Sequence, residues 1–284
     1  MIEVIGIDAG NYNTKAISSK GSDCFSSTIG EWQNRSAADA HSSEDMSFEI
    51  VNKYDNYRGF AGPLAAIESE YGGTVYGCTK NHQDAYTRIL LSVWRNVIGS
   101  KVCIIVGQPY KGHNNEEKRE IINAIKGEHT VTVNGKKKSF EIVDIKVGIE
   151  GAMAFLSAPI NGPVNIIDVG SGTVNCIHFL NKRIVDRKCD TLPFGSETSK
   201  KGKNLEAMAS GIYKQMSGVW NKNDTTIVTG GCANLIVEPL KRYYPNISVL
   251  LPKMDIDGVK ITVDTKYANA IGMYKLGKKL YDTV

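Results

Sequence analysis

The sequence predicts an α/β protein built from two similar halves that face each other across a cleft. Three observations carry this. Strand-like and helix-like segments alternate along the chain, with hairpins among them. The stretch "GIDAGNYNTK" (6–15) returns as "IIDVGSGTVN" (166–175), with 160 positions between Asp8 and Asp168. The chain's 284 residues suffice for two domains of ordinary size. With 42% hydrophobic and 23% charged residues, the composition is that of an average soluble globular protein.

The elements follow from local pattern. Val4 to Ile7 is an apolar run that reads as a buried strand. Gly10 and Asn11 tolerate positive φ and read as a tight turn, and Thr14 to Ile17 reads as the returning strand. Gly21 to Arg58 is polar and irregular, with a strand-like piece at Ser47 to Val51. "GPLAAIESEYGG" is a short helix closed by glycines. "NHQDAYTRILLSVWRNVIG" is a stronger helix: Tyr86, Ile89, Leu90, Val93, Trp94 and Val97 recur at spacings of three and four. "KVCIIVGQP" is a buried strand. "NNEEKREIINAIKG" carries an Asn cap and early glutamates, which signal a helix. "TVTVNG" and "SFEIVDIKV" are strands leading to a helix that begins near Gly148. In the second half, "VNIIDVGSGTVNCIHFLNKRIVDRKCD" is strand, Gly-rich turn, strand, Asn-Lys turn, strand. A Lys-rich loop precedes a helix around Leu205 to Trp220. "TTIVTGGCANLI" is strand, Gly-Gly turn, helix. "ITVD" is strand-like, and a last helix starts near Ala268.

Bulk properties exclude several classes. The net charge of +4 is too mild for a nucleic-acid footprint, and the basic runs Lys136 to Lys138 and Lys200 to Lys203 read as solvated turns. No run of 18 apolar residues is present, so no membrane partner is expected. No basic leader with an apolar core is recognised at the N-terminus. Cysteines 24, 78, 103, 176, 189 and 232 form no CxxC pair, and the histidines form no metal-ligand spacing. A reduced, cytoplasmic protein is expected.

The repeat gives these turns a chemical meaning. Each copy is an apolar strand, an Asp, one small or apolar residue, a Gly, a polar turn and a Thr. Facing copies would bring Asp8 and Asp168 together and offer backbone N–H groups from both sides to a polyphosphate. Mg²⁺ keeps most of its waters, so two aspartates holding it through water suit such a ligand. Turn capping by the aspartates is the plainer alternative. No GxxxxGK[ST] occurs, so a P-loop is excluded. "GSGTVN" begins like a dinucleotide fingerprint, but Asn175 replaces its third glycine and a strand follows. Gly230 and Gly231, between a strand and a helix N-terminus, permit close approach of an anionic ligand, or simply make a turn.

Five pieces in order resemble the actin superfamily of ATPases, which includes sugar kinases and the large heat-shock chaperones. "GIDAGNYNTK" and "IIDVGSGT" look like its two phosphate motifs. "VGIEGAMAFL" and "YANAIGMYKLG" look like its two interdomain helices, and "IVTGGCANL" like its adenosine motif. Within it the chain resembles bacterial plasmid-segregation actins, the ParM and Alp group. Only about 60 residues separate Asp168 from Gly230, which is similar to the reduced AlfA form and implies a second domain without its upper subdomain. The resemblance implies an actin-like, RNase H-like duplicated fold. Domain I would span 1–147 plus 268–284, with a small subdomain at about 20–80, and domain II would span 148–267.

The resemblance also implies roles. Asp8 and Asp168 would hold Mg²⁺ through water. Lys15 would meet the β- or γ-phosphate, unless it is only an exposed strand lysine. The Thr14 and Thr173 hydroxyls would hold phosphate oxygens. So would backbone N–H groups of Gly10, Asn11, Tyr12 and Asn13, and of Gly170, Ser171 and Gly172. Glu150 would orient the attacking water, or else be a favourable charge in a first helical turn. Gly230, Gly231 and Ala233 would meet the nucleoside. Lys214 and Gln215 would either reach the base or form a solvated helix face. The implied activity is ATP hydrolysis to ADP coupled to polymerisation. GTP is not excluded, because a reduced clamp discriminates poorly between bases. The implied partners are further copies in a filament and a DNA-binding adaptor on centromere-like DNA, without direct sequence-specific DNA binding by this chain. Phe25, Trp32, Phe48, Tyr54, Tyr57 and Phe60 are either interface anchors or the core of the small subdomain. The alternative is a small-molecule kinase of the same superfamily, pantothenate- or sugar-kinase-like, with Asp144 or Asp186 as base. A chaperone would need a peptide-binding domain, and none is expected after residue 284.

Overall fold

The computed structural model describes residues 2–36, 42–53, 55–199, 204–256 and 259–281. Tyr54 and the basic run Lys200 to Lys203 lie outside the described residues. The first half supplies strands β1 (Glu3–Ala9), β2 (Asn13–Ser18), β3 (Gly21–Ser26), β4 (Ile29–Glu31), β5 (Met46–Asn52) and β6 (Asn56–Ala61). Helices α1 (Pro63–Glu68) and α2 (Gln83–Asn96), strand β7 (Lys101–Gln108) and helix α3 (Asn115–Ile125) follow. Strands β8 (Gly127–Val133) and β9 (Lys136–Ile149) complete one nine-stranded sheet, in the order β3-β2-β1-β7-β9-β8-β5-β6-β4. Among its described residues, the stretch read as irregular thus holds β3, β4 and β5 and the start of β6. Three of them, β4 to β6, extend the main sheet beyond β8, while β3 pairs with β2 at the opposite edge. β5 covers the strand-like piece at Ser47 to Val51, where Met46, Phe48 and Ile50 alternate with polar or more exposed positions; the polar runs of β3, β4 and β6 gave no clear period-2 signal, and pairing and partial burial decide them.

The second half begins with α4 (Ala152–Ser157). It continues through β10 (Pro163–Val169), β11 (Val174–Leu180), β12 (Arg183–Ile184), β13 (Asp190–Leu192) and α5 (Leu205–Met216). Then come β14 (Thr225–Thr229), α6 (Ala233–Lys241), β15 (Ile247–Val249), the hairpin β16 (Lys253–Ile256) and β17 (Val259–Thr262), and α7 (Ala268–Tyr281). Its sheet runs β12-β11-β10-β14-β15, with β13 also on β11. The two sheets share a local plan. β1 pairs antiparallel with β2 and parallel with β7; β10 pairs antiparallel with β11 and parallel with β14. Buried Ile5, Ile7, Ile104 and Val106 centre one core, and Ile167, Val228, Ile212 and Ile236 another. No described helix is long and apolar enough to cross a membrane.

Aromatics of the early segment serve the core. Phe25, Phe48 and Phe60 are buried. The Trp32 ring lies tilted by 31° against Phe60 at 5.0 Å, and Tyr57 meets Phe48 edge-on at 6.1 Å. Their area is spent inside the fold, so they do not form an exposed interface patch.

Helices α4 and α7 cross where the chain passes between halves, and α7 also packs on β1 and β7. Glycines make that approach possible. A Cβ on Gly272 would lie 1.7 Å from the Met153 carbonyl oxygen, a backbone atom that cannot swing aside. Gly272→Ala is therefore expected to destabilise the protein by about 3 kcal/mol or more, from overpacking. Gly73→Ala, whose Cβ would enter open space, should change stability by under about 1 kcal/mol. Urea denaturation of both variants checks this; equal midpoints would refute the crossing geometry.

His82 caps α2: its Nδ1 accepts from the Ala85 N–H at 3.4 Å. Burial, with Arg88 and Lys80 adding to it, lowers its pKa from 6.5 to about 4. The unfolded chain therefore binds a proton near pH 6.5 that the folded chain refuses until about pH 4, so stability falls across that window on acidification. His82→Asn keeps a capping acceptor without the titration. Its melting temperature should drop less than the parent's between pH 7 and pH 5, and parallel curves would count against the mechanism. Subtracting the two curves removes the contributions of other groups.

Candidate functional site

The repeated hairpins meet at one cavity of about 320 Å³. Its walls include Asp8, Gly10, Asn11, Tyr12, Asn13 and Lys15 from the first copy, and Asp168, Gly170, Ser171, Gly172 and Thr173 from the second. Glu150, Gly230 and Gly231 also line it. Strand pairing explains the arrangement. Asp8 sits opposite Lys15 across the β1–β2 ladder, and Asp168 sits opposite Asn175 across β10–β11. Side chains opposite one another point to the same face, so each hairpin aims one carboxylate and one partner into the cleft.

Two expected contributors are placed elsewhere. Thr14 lies between Asn13 and Lys15 on β2, so alternation turns it away; its hydroxyl bonds to Ser27 Oγ at 2.9 Å in the interior. Ala233, the first residue of α6, is buried against the core, and Cys232 takes its place on the wall. Lys214 and Gln215 are exposed on α5 and do not line the cavity. Gly10 and Asn11 make their turn without positive φ. What Gly10 supplies is room, since a Cβ there would lie 2.7 Å from the Asn13 carbonyl oxygen and 3.0 Å from Lys15 Nζ. Gly230 does need its left-handed backbone, at φ 100°, and a Cβ would meet the Val169 carbonyl at 2.3 Å. Glu150 is not in a helical turn; it stands between the end of β9 and Gly151, two residues before α4.

The carboxylates sit in different surroundings. Lys15 Nζ is 3.6 Å from Asp8 Oδ2. Asp168 Oδ2 accepts from Asn269 Nδ2 at 2.8 Å, while Asn269 Oδ1 takes the N–H groups of Gly151 and Ala154 at 2.9 and 3.0 Å. One side chain of α7 thereby fixes both Asp168 and the start of α4. Burial raises the Asp168 pKa to about 6, against the pull of the Asn269 bond. Glu150 Oε2 accepts from Asn175 Nδ2 at 3.1 Å, and Glu150 Oε1 lies 3.9 Å from Lys80 Nζ. Burial pushes the Glu150 carboxyl up, Lys80 opposing it, and burial pulls the Lys80 ammonium down. Beneath the first hairpin, fully buried Arg88 donates to the Ser27 carbonyl at 3.4 Å, and Ser27 Oγ donates to the Gly10 carbonyl at 2.5 Å.

Lys80, Asn175 and Asn269 escaped the sequence reading. Asn175 was legible in the repeat itself, because it occupies in "IIDVGSGTVN" the place Lys15 holds in "GIDAGNYNTK". Asn269 was signalled only as a polar residue on an otherwise apolar helix face. Lys80 sits in a loop with no pattern around it.

The donor set suits a hydrated cation beside a polyphosphate. Asp8 and Asp168 present carboxylates from opposite walls, while glycine turns leave backbone open. Among the described residues no group of three or more His, Cys, Asp or Glu could cage a metal, so a cation here would complete its shell with water and phosphate oxygens.

A family model described as the actin like proteins N terminal domain matches residues 6–152, more than half of the chain. The chain belongs to the actin-like protein family. Solved structures agree on the fold. An AlfA filament bound to AMPPNP aligns with a TM-score of 0.77 at 20% identity, covering 100% of this chain and 99% of that one. A 15-stranded ParM filament from Clostridium botulinum aligns at 0.77 with 18% identity, covering 98% and 99%. Ta0583, an archaeal actin homolog, aligns at 0.76 with 18% identity, covering 99% and 100%. Searched against curated proteins, the sequence has no match. This actin-like protein therefore shares an architecture with those structures over 98–100% of its length.

Proposed function

We propose that this actin-like protein is a nucleotide-dependent, filament-forming ATPase. The observation that carries the reading is the pair of Asp-Gly hairpins closing on one cavity, with the buried carboxylate of Glu150 on its wall. The N–H groups of both turns would take the phosphate oxygens of ATP, or of GTP, with Lys15 as a point charge. Asp8 and Asp168 would hold Mg²⁺ through its waters. When bound, the ion supplies charge neutralisation along the polyphosphate. Glu150, fixed by Asn175, would orient a water for in-line attack. The water oxygen bonds to the terminal phosphorus, the bond to the bridging oxygen breaks with its electron pair left on the diphosphate, and Glu150 accepts the water's proton.

The filament and segregation parts of the reading rest on likeness to AlfA and ParM. Copies of this chain would assemble with nucleotide bound and separate after hydrolysis. A DNA-binding adaptor on centromere-like DNA would connect the filament to its cargo in the cytoplasm. The domain assignment belongs to the same proposal: 1–147 with 268–284 as domain I, a small subdomain at about 20–80, and 148–267 as domain II without an upper subdomain. In support, α5 is the sole helix of eight or more residues described between β13 and β14. The kinase alternative has less to stand on. Asp144 accepts from Tyr281 and Asp186 from Tyr110, and neither lines the cavity.

Phosphate release measured against protein concentration tests the proposal. Hydrolysis per molecule should rise above a threshold concentration without any added acceptor. Turnover that requires a small-molecule acceptor and ignores protein concentration would favour the kinase.

A further inference from the structure

One charged group on the cavity wall has no part in the chemistry above. Lys80 lies in the loop between α1 and α2, is 5% exposed, and lines the cavity. Its backbone is anchored: the Lys80 N–H donates to Gln108 Oε1 at 2.7 Å, and Gln108 Nε2 donates in turn to Thr79 Oγ1 at 3.0 Å and the Gly112 carbonyl at 3.2 Å. Its ammonium donates to Asn11 Oδ1 in the first phosphate turn at 3.0 Å. The second neighbour, Glu150 Oε1, is 3.9 Å away, beyond hydrogen-bond reach, and that oxygen has no hydrogen-bond partner. An ammonium carries three donors. Lys80 thus has donors left over inside a buried wall, next to a buried carboxylate oxygen that is also unmatched. Burying such a pair with poor geometry is unfavourable unless something completes it.

We propose that Lys80 is a contact residue for the terminal phosphate of a nucleoside triphosphate, and that Glu150 is its counter-ion when that phosphate is absent. The inference rests on the nucleotide reading of the cavity and adds to it the part that distinguishes triphosphate from diphosphate. With the terminal phosphate bound, the ammonium gives its spare donors to phosphate oxygens. Glu150 Oε1, relieved of its ion pair, is then available to accept from the attacking water. After hydrolysis and phosphate loss, Lys80 returns to Glu150. Asn11 keeps the ammonium beside the first hairpin in both states, so the exchange needs only a small movement of the stem's end.

The experiment compares the affinity of AMPPNP with that of ADP, both with magnesium, in the parent protein and in Lys80→Met. The variant should lose about tenfold or more in AMPPNP affinity, the worth of one charge-assisted contact, with ADP affinity changed less than about threefold. Lys80→Arg should recover part of the difference. Lys80→Met leaves Glu150 unpaired and can fail to fold. The same ratio is therefore also read in Glu150→Gln with Lys80→Met, where neither charge of the pair remains, against Glu150→Gln, where Lys80 alone is charged. Equal losses for both nucleotides, or an unchanged ratio, would overturn the Lys80 role while leaving the nucleotide site standing. A parent protein that binds neither nucleotide would sink the site itself and this role with it.

Discussion

Asp168→Asn is expected to cut Mg-dependent hydrolysis severely while leaving the empty protein as stable as the parent, or more so. The two effects have one cause. Asp168 is buried at the end of β10, and its carboxyl is held near pKa 6, above the usual 3.8. A carboxyl raised on folding binds its proton more tightly in the folded chain. Its contribution to stability is therefore present at low pH and is lost as pH rises from 3.8 through about 6. At pH 7 the charge is an internal cost that a hydrated cation would offset. Asparagine removes the charge and the cost together, and with them the hold on the cation's water shell. Hydrolysis should fall about 100-fold or more, as expected when developing phosphate charge loses its compensation. Melting curves and phosphate release on one preparation check the pair of outcomes. A variant that hydrolyses normally would remove Asp168 from the metal shell. A variant that loses activity and melts far lower would mean its role is structural, through Asn269.

Glu150→Gln should separate binding from chemistry. The amide can still accept from Asn175 Nδ2 on one side, where Glu150 Oε2 accepts at 3.1 Å, so the position of the side chain is kept. What it loses is the capacity to take a proton from water, together with the charge 3.9 Å from the Lys80 ammonium. Single-turnover hydrolysis is expected to slow about 100-fold or more, with nucleotide affinity within about threefold of the parent. Equal loss of affinity and rate would make Glu150 a binding residue. An unchanged rate would leave water positioning to some other group. Asn175 also connects this residue to Tyr110 in the first half of the chain and to Thr191 in the second. Its Oδ1 accepts from the Tyr110 N–H at 3.2 Å and from Thr191 Oγ1 at 2.9 Å, so Glu150 is held by a side chain that touches both halves.

Much of this site was legible because its logic is local. An Asp at the end of an apolar strand, then glycine and a polar turn, specifies a hairpin whose ladder must aim that Asp toward the turn's open side. The repeat then requires two such hairpins. Thr14 shows the limit of motif reading. It sits inside the motif, but period-2 alternation on β2 turns its hydroxyl toward Ser27, and only the register fixes which face is which. Ala233 was read one residue too far along: the helix begins there, so its methyl packs inward and Cys232 is left on the wall. Lys80 marks a different limit. It is about 70 residues from the nearest motif residue that it touches, and no spacing rule connects Lys80 to Asn11. Strands β4 and β6 were missed for a related reason: their partners are distant or equally polar, and the sheet that completes them is specified by tertiary contacts.

The central claim is that nucleotide in the two-hairpin cavity controls self-assembly, and sedimentation across a protein concentration series tests it most directly. The protein is spun at high speed with Mg-ATP, with Mg-AMPPNP and without nucleotide, and the pellets are viewed by electron microscopy. The account predicts filaments that pellet above a critical concentration with either nucleotide, persist longer with AMPPNP, and are absent without nucleotide. Protein that stays in the supernatant throughout the micromolar range under all three conditions, although it binds nucleotide, would contradict it.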